Sequence, residues 1–118
     1  MQVRATAKQV RISPRKMGMV AALVRRRSVS DALVILEHTP RRAAKVLREV
    51  LKSAAANAEN NHRAEVKSLA IESVLVSNAR IIKRIQAVSR GRAHPYRHRL
   101  SNVTVVVEDA GSTKEKEA

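Results

Sequence analysis

The chain has 118 residues, with 24 Lys and Arg against 10 Asp and Glu for a net charge of +14, one aromatic residue (Tyr96) and no cysteine. Its length suits one small domain, and its 44% hydrophobic content, mainly Ala, Val, Leu and Ile, suffices for an aliphatic core and argues against wholesale disorder. The same composition excludes disulfides, thiol chemistry, cysteine metal clusters and recognition by rows of stacked aromatic rings.

Residues 3–12 alternate Val3, Ala5 and Ala7 with Arg4, Thr6 and Lys8, and read as a first strand. Ser13 is an N-cap followed by Pro14 at the first helical position. Met17, Val20, Ala21 and Val24 follow at helical spacing, so a first helix runs to about Arg26. A short second helix starts at Ser28 or Ser30, Ser28 with Asp31 fitting a capping box, with Leu33 and Leu36 on its buried side. Thr39 and Pro40 repeat the cap-plus-proline signal and predict the longest helix, ending near Asn60. Its apolar stripe is Ala43, Val46, Leu47, Val50, Leu51, Ala54 and Ala58, and Asn57, Asn60, Asn61 and His62 are expected to end it. Residues 66–77 and 100–108 are rich in Leu, Ile and Val and read as two further strands. The expected fold is α+β, with three helices packed on a small three-stranded antiparallel sheet in a single domain over 1–110. Residues 111–118 read as a disordered tail.

The charge is segregated along the chain. Residues 1–30 contain eight basic residues and no acid, residues 31–72 seven basic and six acidic, and residues 73–107 seven basic and again no acid. Two basic blocks therefore flank a balanced middle, and a polyanion is the matching partner. In the first block the candidate phosphate contacts are Arg4, Lys8, Arg11, Arg15 and Lys16, together with Arg25, Arg26 and Arg27 at the end of the first helix. In the second they are Arg80, Lys83, Arg84, Arg90, Arg92, Arg97, His98 and Arg99.

Most of that second block lies between the last two strands, over about 79–100. The segment is too long for an ordinary connection. Ile81, Ile82, Ile85 and Val88 show no period that would pack it on the domain. The simplest arrangement is a β-ribbon projecting from the body, with Gly91 in its turn, reaching roughly 35 Å at about 3.3 Å per residue. A lone two-stranded ribbon is marginal in water, so it requires a partner.

Four segments carry a family resemblance: Ile12-Ser13-Pro14-Arg15-Lys16; Val50-Leu51-Lys52-Ser53-Ala54 through Asn60-Asn61; Lys83-Arg84 with Arg90-Gly91-Arg92-Ala93; and Arg97-His98-Arg99-Leu100-Ser101 with the valines after it. In this order and spacing, over about residues 3–108, the chain resembles the family of large-ribosomal-subunit protein twenty-two. The resemblance implies a structural protein that binds large-subunit ribosomal RNA, aids assembly and contacts other large-subunit proteins. It also implies that the ribbon lines the nascent peptide exit tunnel, with Ile82, Lys83, Arg84, Arg90, Gly91 and Arg92 at the wall. Val88 and Ser89 stand where the family usually carries proline and arginine, and Arg26 and Arg27 where it often has a glycine.

Other functions fit less well. His38, His62, His94 and His98 lack a metal-ligand or catalytic pattern, and no phosphate loop or nucleophile elbow occurs. No enzyme activity, metal, cofactor or small-molecule substrate is therefore expected. A membrane is not expected either, because Arg4, Lys8 and Arg11 interrupt any signal-like stretch and no apolar run is long enough to span. A bacterial cytoplasm is the expected setting. The alternative that charge alone leaves open is a histone-like DNA-packing protein.

Overall fold

In the computed structural model, which describes residues 2–109, alternation makes the first strand. Strand β1 (Gln2–Val10) buries Val3 and Ala5 and turns Arg4, Thr6 and Lys8 outward. The tail expected at 111–118 lies outside the described residues.

The helix starts follow the capping chemistry in two of three cases. Helix α1 (Pro14–Val24) opens with Ser13 Oγ accepting the Lys16 amide at 3.4 Å, and buries Met17, Val20, Ala21 and Val24. Helix α2 (Val29–His38) opens with Ser28 Oγ accepting the Asp31 amide at 3.3 Å, and buries Val29, Ala32 and Leu36. Thr39 does not cap the third helix. Its hydroxyl donates back to the Ile35 carbonyl at 2.6 Å and closes α2. Threonine makes such bonds to the preceding turn readily, and here that bond wins over capping. Helix α3 (Arg42–His62) starts two residues later from Arg41, which supplies no side-chain cap. At its other end α3 runs through the asparagines, and Arg63 takes the left-handed turn at φ 54°.

Strands β2 (Leu69–Ala87) and β3 (Ala93–Asp109) complete an antiparallel sheet of order β1-β3-β2. A 3-10 turn, Val66–Ser68, precedes β2 where the sequence reads as strand. The central strand supplies Val103, Val105 and Val107, all fully buried, against Leu47, Leu51, Ala54 and Ala58 of α3 in one core cluster. Fully buried alanines let the helix approach the sheet closely.

The sheet has an irregularity where the ribbon leaves it. The β1–β3 register shifts between Ala7 and Val10, with Gln9 at φ 55° and its amide bonded to Asn102 Oδ1 at 3.0 Å. The β2–β3 register shifts between Asn78 and Ile81. Val10 and Asn78 both pair with Ser101, so both shifts fall at one level. Beyond it β1 has ended, and β2 and β3 continue alone to the pair Ala87–Ala93. The molecule is accordingly 68 Å long and 25 Å across.

Ser101 at this level is fully buried, and its hydroxyl has no hydrogen-bond partner among the described residues. An unpaired buried hydroxyl costs about 1–3 kcal/mol. Ser101→Ala is therefore expected to raise the melting temperature, by about 4–8 °C for each 1 kcal/mol recovered in a domain of this size. Thermal unfolding followed by circular dichroism checks this, and a lowered midpoint would show that the hydroxyl has a stabilising role.

Candidate nucleic-acid interface

The ribbon presents cations because nothing in it is buried enough to need neutral side chains. Residues 83–87 and 93–99 are exposed throughout. Ile85 is 74% exposed, although a strand inside a sheet would bury it. Directly opposed residues share a face in an antiparallel pair. One face thus carries Ile81 with Arg99, Lys83 with Arg97 and Ile85 with Pro95. The other carries Ile82 with His98, Arg84 with Tyr96 and Gln86 with His94. The Lys83–Arg97 pair sets like charges against each other, which destabilises the free ribbon.

The tip is a tight turn over Ser89–Gly91, closed by the Val88 amide on the Arg92 carbonyl at 2.9 Å. Arg90 and Gly91 both adopt left-handed backbone, at φ 65° and 69°. Only the glycine adopts it freely. Lys83 and Arg84 lie partway along the ribbon, roughly 13 Å short of the Ala87–Ala93 pair at about 3.3 Å per residue. The six residues expected at a tunnel wall are therefore spread along the ribbon in two groups.

The first basic block is divided among several places. Arg4 and Lys8 lie on the outer face of β1, where Thr6 and Thr104 hydroxyls meet at 3.2 Å. Arg15 is exposed on the first turn of α1. Arg25 donates through Nε and Nη2 to the Val74 carbonyl, at 3.3 and 3.0 Å, and ties the end of α1 to β2. Arg27 Nε donates to the Leu23 carbonyl at 3.0 Å. Both arginines thus hold the fold as well as displaying charge. Arg26 between them is left-handed at φ 63°. Arg80 lies within the β2 register shift and lines a shallow hollow with Gln9 and Ile81.

The densest charge gathers at the ribbon's root. A groove of about 580 Å³ is lined by Arg11 and Lys16 from around the start of α1, Arg41 and Arg42 from the start of α3, and Arg97 and Arg99 from β3. His98 is the seventh basic side chain, and no carboxylate lines the groove. All seven are exposed. Arg41 and Arg42 are functional candidates that sequence reading misses, because they fall in the charge-balanced middle. None of the acids that balance them in sequence lines the groove. The one available signal is an Arg-Arg pair directly after Pro40, at the start of a helix.

This arrangement suits an anionic polymer with phosphates spaced along a strand. A profile of the family described as Ribosomal protein L22p/L17e matches residues 5–108, which takes in the sheet, all three helices and the ribbon. The chain belongs to this family. It is 46% identical over 109 residues to the Large ribosomal subunit protein uL22 of Clostridioides difficile (strain 630), covering 92% of this chain and 98% of that protein. Family membership makes the chain a structural protein of the large ribosomal subunit and not an enzyme, and it displaces the DNA-packing alternative. Among the described residues, no helix is long and apolar enough to cross a membrane.

Proposed function

We propose that the chain binds large-subunit ribosomal RNA through its root groove and ribbon, and lays the ribbon along the wall of the nascent peptide exit tunnel. The observation that carries this reading is a paired ribbon over residues 79–99 with seven Lys and Arg, no acid and no buried residue. Such a ribbon gains its order from whatever surrounds it, and its charge selects phosphates. Its partners are ribosomal RNA, neighbouring large-subunit proteins and, at the tip, the nascent peptide. Its setting is the ribosome in a bacterial cytoplasm, in keeping with the bacterial relative.

The test shortens the ribbon without disturbing its register. Removing residues 82–87 and 93–98 excises six opposed pairs, an even number that keeps each remaining side chain on its face. The shortened protein is expected to co-sediment with large subunits. A photo-crosslinker at position 90 should capture nascent chains only in the full-length protein. Co-sedimentation without capture by the full-length protein would overturn tunnel lining, and failure of the full-length protein to co-sediment would overturn RNA binding.

A further inference from the structure

The groove at the ribbon's root continues into a second hollow of about 410 Å³, and Arg11, Arg42, His98 and Arg99 line both. The second hollow adds Ile82, Leu100 and Tyr96 to these cations. Tyr96 is the chain's one aromatic residue. It lies on the same ribbon face as His98, and their rings meet edge to face with centroids 5.2 Å apart at 88°. That contact fixes the tyrosine ring while leaving the residue 38% exposed.

We propose that the joined cavity seats one unstacked RNA nucleotide, with its flanking phosphates on the cations of the first groove and its base against Tyr96. This rests on the RNA-binding reading and goes beyond it in naming a place and a kind of nucleotide. Six Lys and Arg side chains without a carboxylate are poorly matched by a single phosphodiester, so the groove calls for successive phosphates. α1 and α3 both begin there, and the positive ends of their dipoles favour the same charge. A base inside a duplex has both faces covered, so only an unpaired, looped-out base has a face free for Tyr96. An exposed Tyr ring beside Ile82 and Leu100 offers that base an apolar contact within reach of its own phosphates.

The two halves of the seat have different signatures in one experiment, which measures binding of the full chain to a large-subunit RNA transcript over a salt series. Arg41→Gln with Arg42→Gln should make the log–log salt slope shallower by about 1.4–1.8 and weaken binding about 10- to 30-fold at ~0.15 M salt. Tyr96→Ala should weaken binding about 5- to 100-fold with the slope unchanged, because a stacked base releases no counterions. Tyr96→Phe should restore it. All three positions are exposed, so melting temperatures should match wild type. In intact large subunits, ultraviolet crosslinking from Tyr96 should map to an unpaired nucleotide. Unchanged slope in the arginine variant, wild-type affinity in Tyr96→Ala, or a crosslink to a paired base would each overturn the seat while RNA binding stands. A wild-type protein that bound the transcript without salt dependence would overturn the RNA-binding reading instead.

Discussion

Exchanging Arg90, Arg92, Arg97 and Arg99 together for glutamine should weaken binding to large-subunit RNA by about 10²- to 10³-fold at ~0.15 M salt. It should also make the log–log salt slope shallower by about 3. Each phosphate neutralised by Lys or Arg contributes roughly 0.7 to the slope on single strands and 0.9 on duplex, and four such contacts give this range. The four side chains are exposed in the free protein, two at the tip and two at the root, so glutamine removes charge without opening a cavity. An unchanged melting temperature would confirm that only the interface is altered. Arg97 and Arg99 share the root groove with Arg41 and Arg42. Combining the two sets of substitutions should therefore cost less than the sum of their separate effects, as it does for residues that hold the same group. A salt slope equal to wild type in the fourfold variant would assign the phosphate contacts to other cations, such as Arg4, Lys8 and Arg15.

Local chemistry was legible wherever one residue's environment is set by its sequence neighbours. Ser13-Pro14 and Ser28 with Asp31 start α1 and α2 as their spacing requires, because a cap depends on amides only a turn away. Thr39 fails the same logic because its hydroxyl had two local acceptors or donors to choose between, and it bonds the Ile35 carbonyl behind it. The continuous strand from Leu69 to Ala87 was hidden for a different reason. Past Ser77 neither face of β2 is covered, so burial imposes no alternation, and only the length and charge of the segment suggest a ribbon. The root groove was least legible of all. Arg11, Arg42 and Arg99 are far apart in sequence and meet only where the starts of α1 and α3 come together with β3. Left-handed Arg26, Arg63 and Arg90 were equally hidden, since glycine or asparagine is the usual signal for that backbone.

The body and the ribbon should answer apolar truncation very differently. Leu47→Ala is expected to destabilise the protein by about 3 kcal/mol, in the middle of the 2–5 kcal/mol typical of a buried leucine. Leu47 is 1% exposed on the face of α3 that belongs to the core, so its removal leaves a cavity inside that cluster. In a small domain such a loss lowers the melting temperature by roughly 10–25 °C. Ile85→Ala removes an equally apolar side chain, but Ile85 is 74% exposed and its strand partner is Pro95 in the ribbon. It should shift stability by less than about 0.5 kcal/mol, as surface substitutions do. Amide exchange should show the same contrast in the RNA-free protein, slow at Leu47 and Val50 and fast through most of the ribbon, whose hydrogen bonds have no core above them. Thermal unfolding of the two variants side by side is the decisive measurement. Equal losses for Leu47→Ala and Ile85→Ala would mean that the ribbon folds as part of the body's cooperative unit. In that case the ribbon would already be ordered before RNA surrounds it.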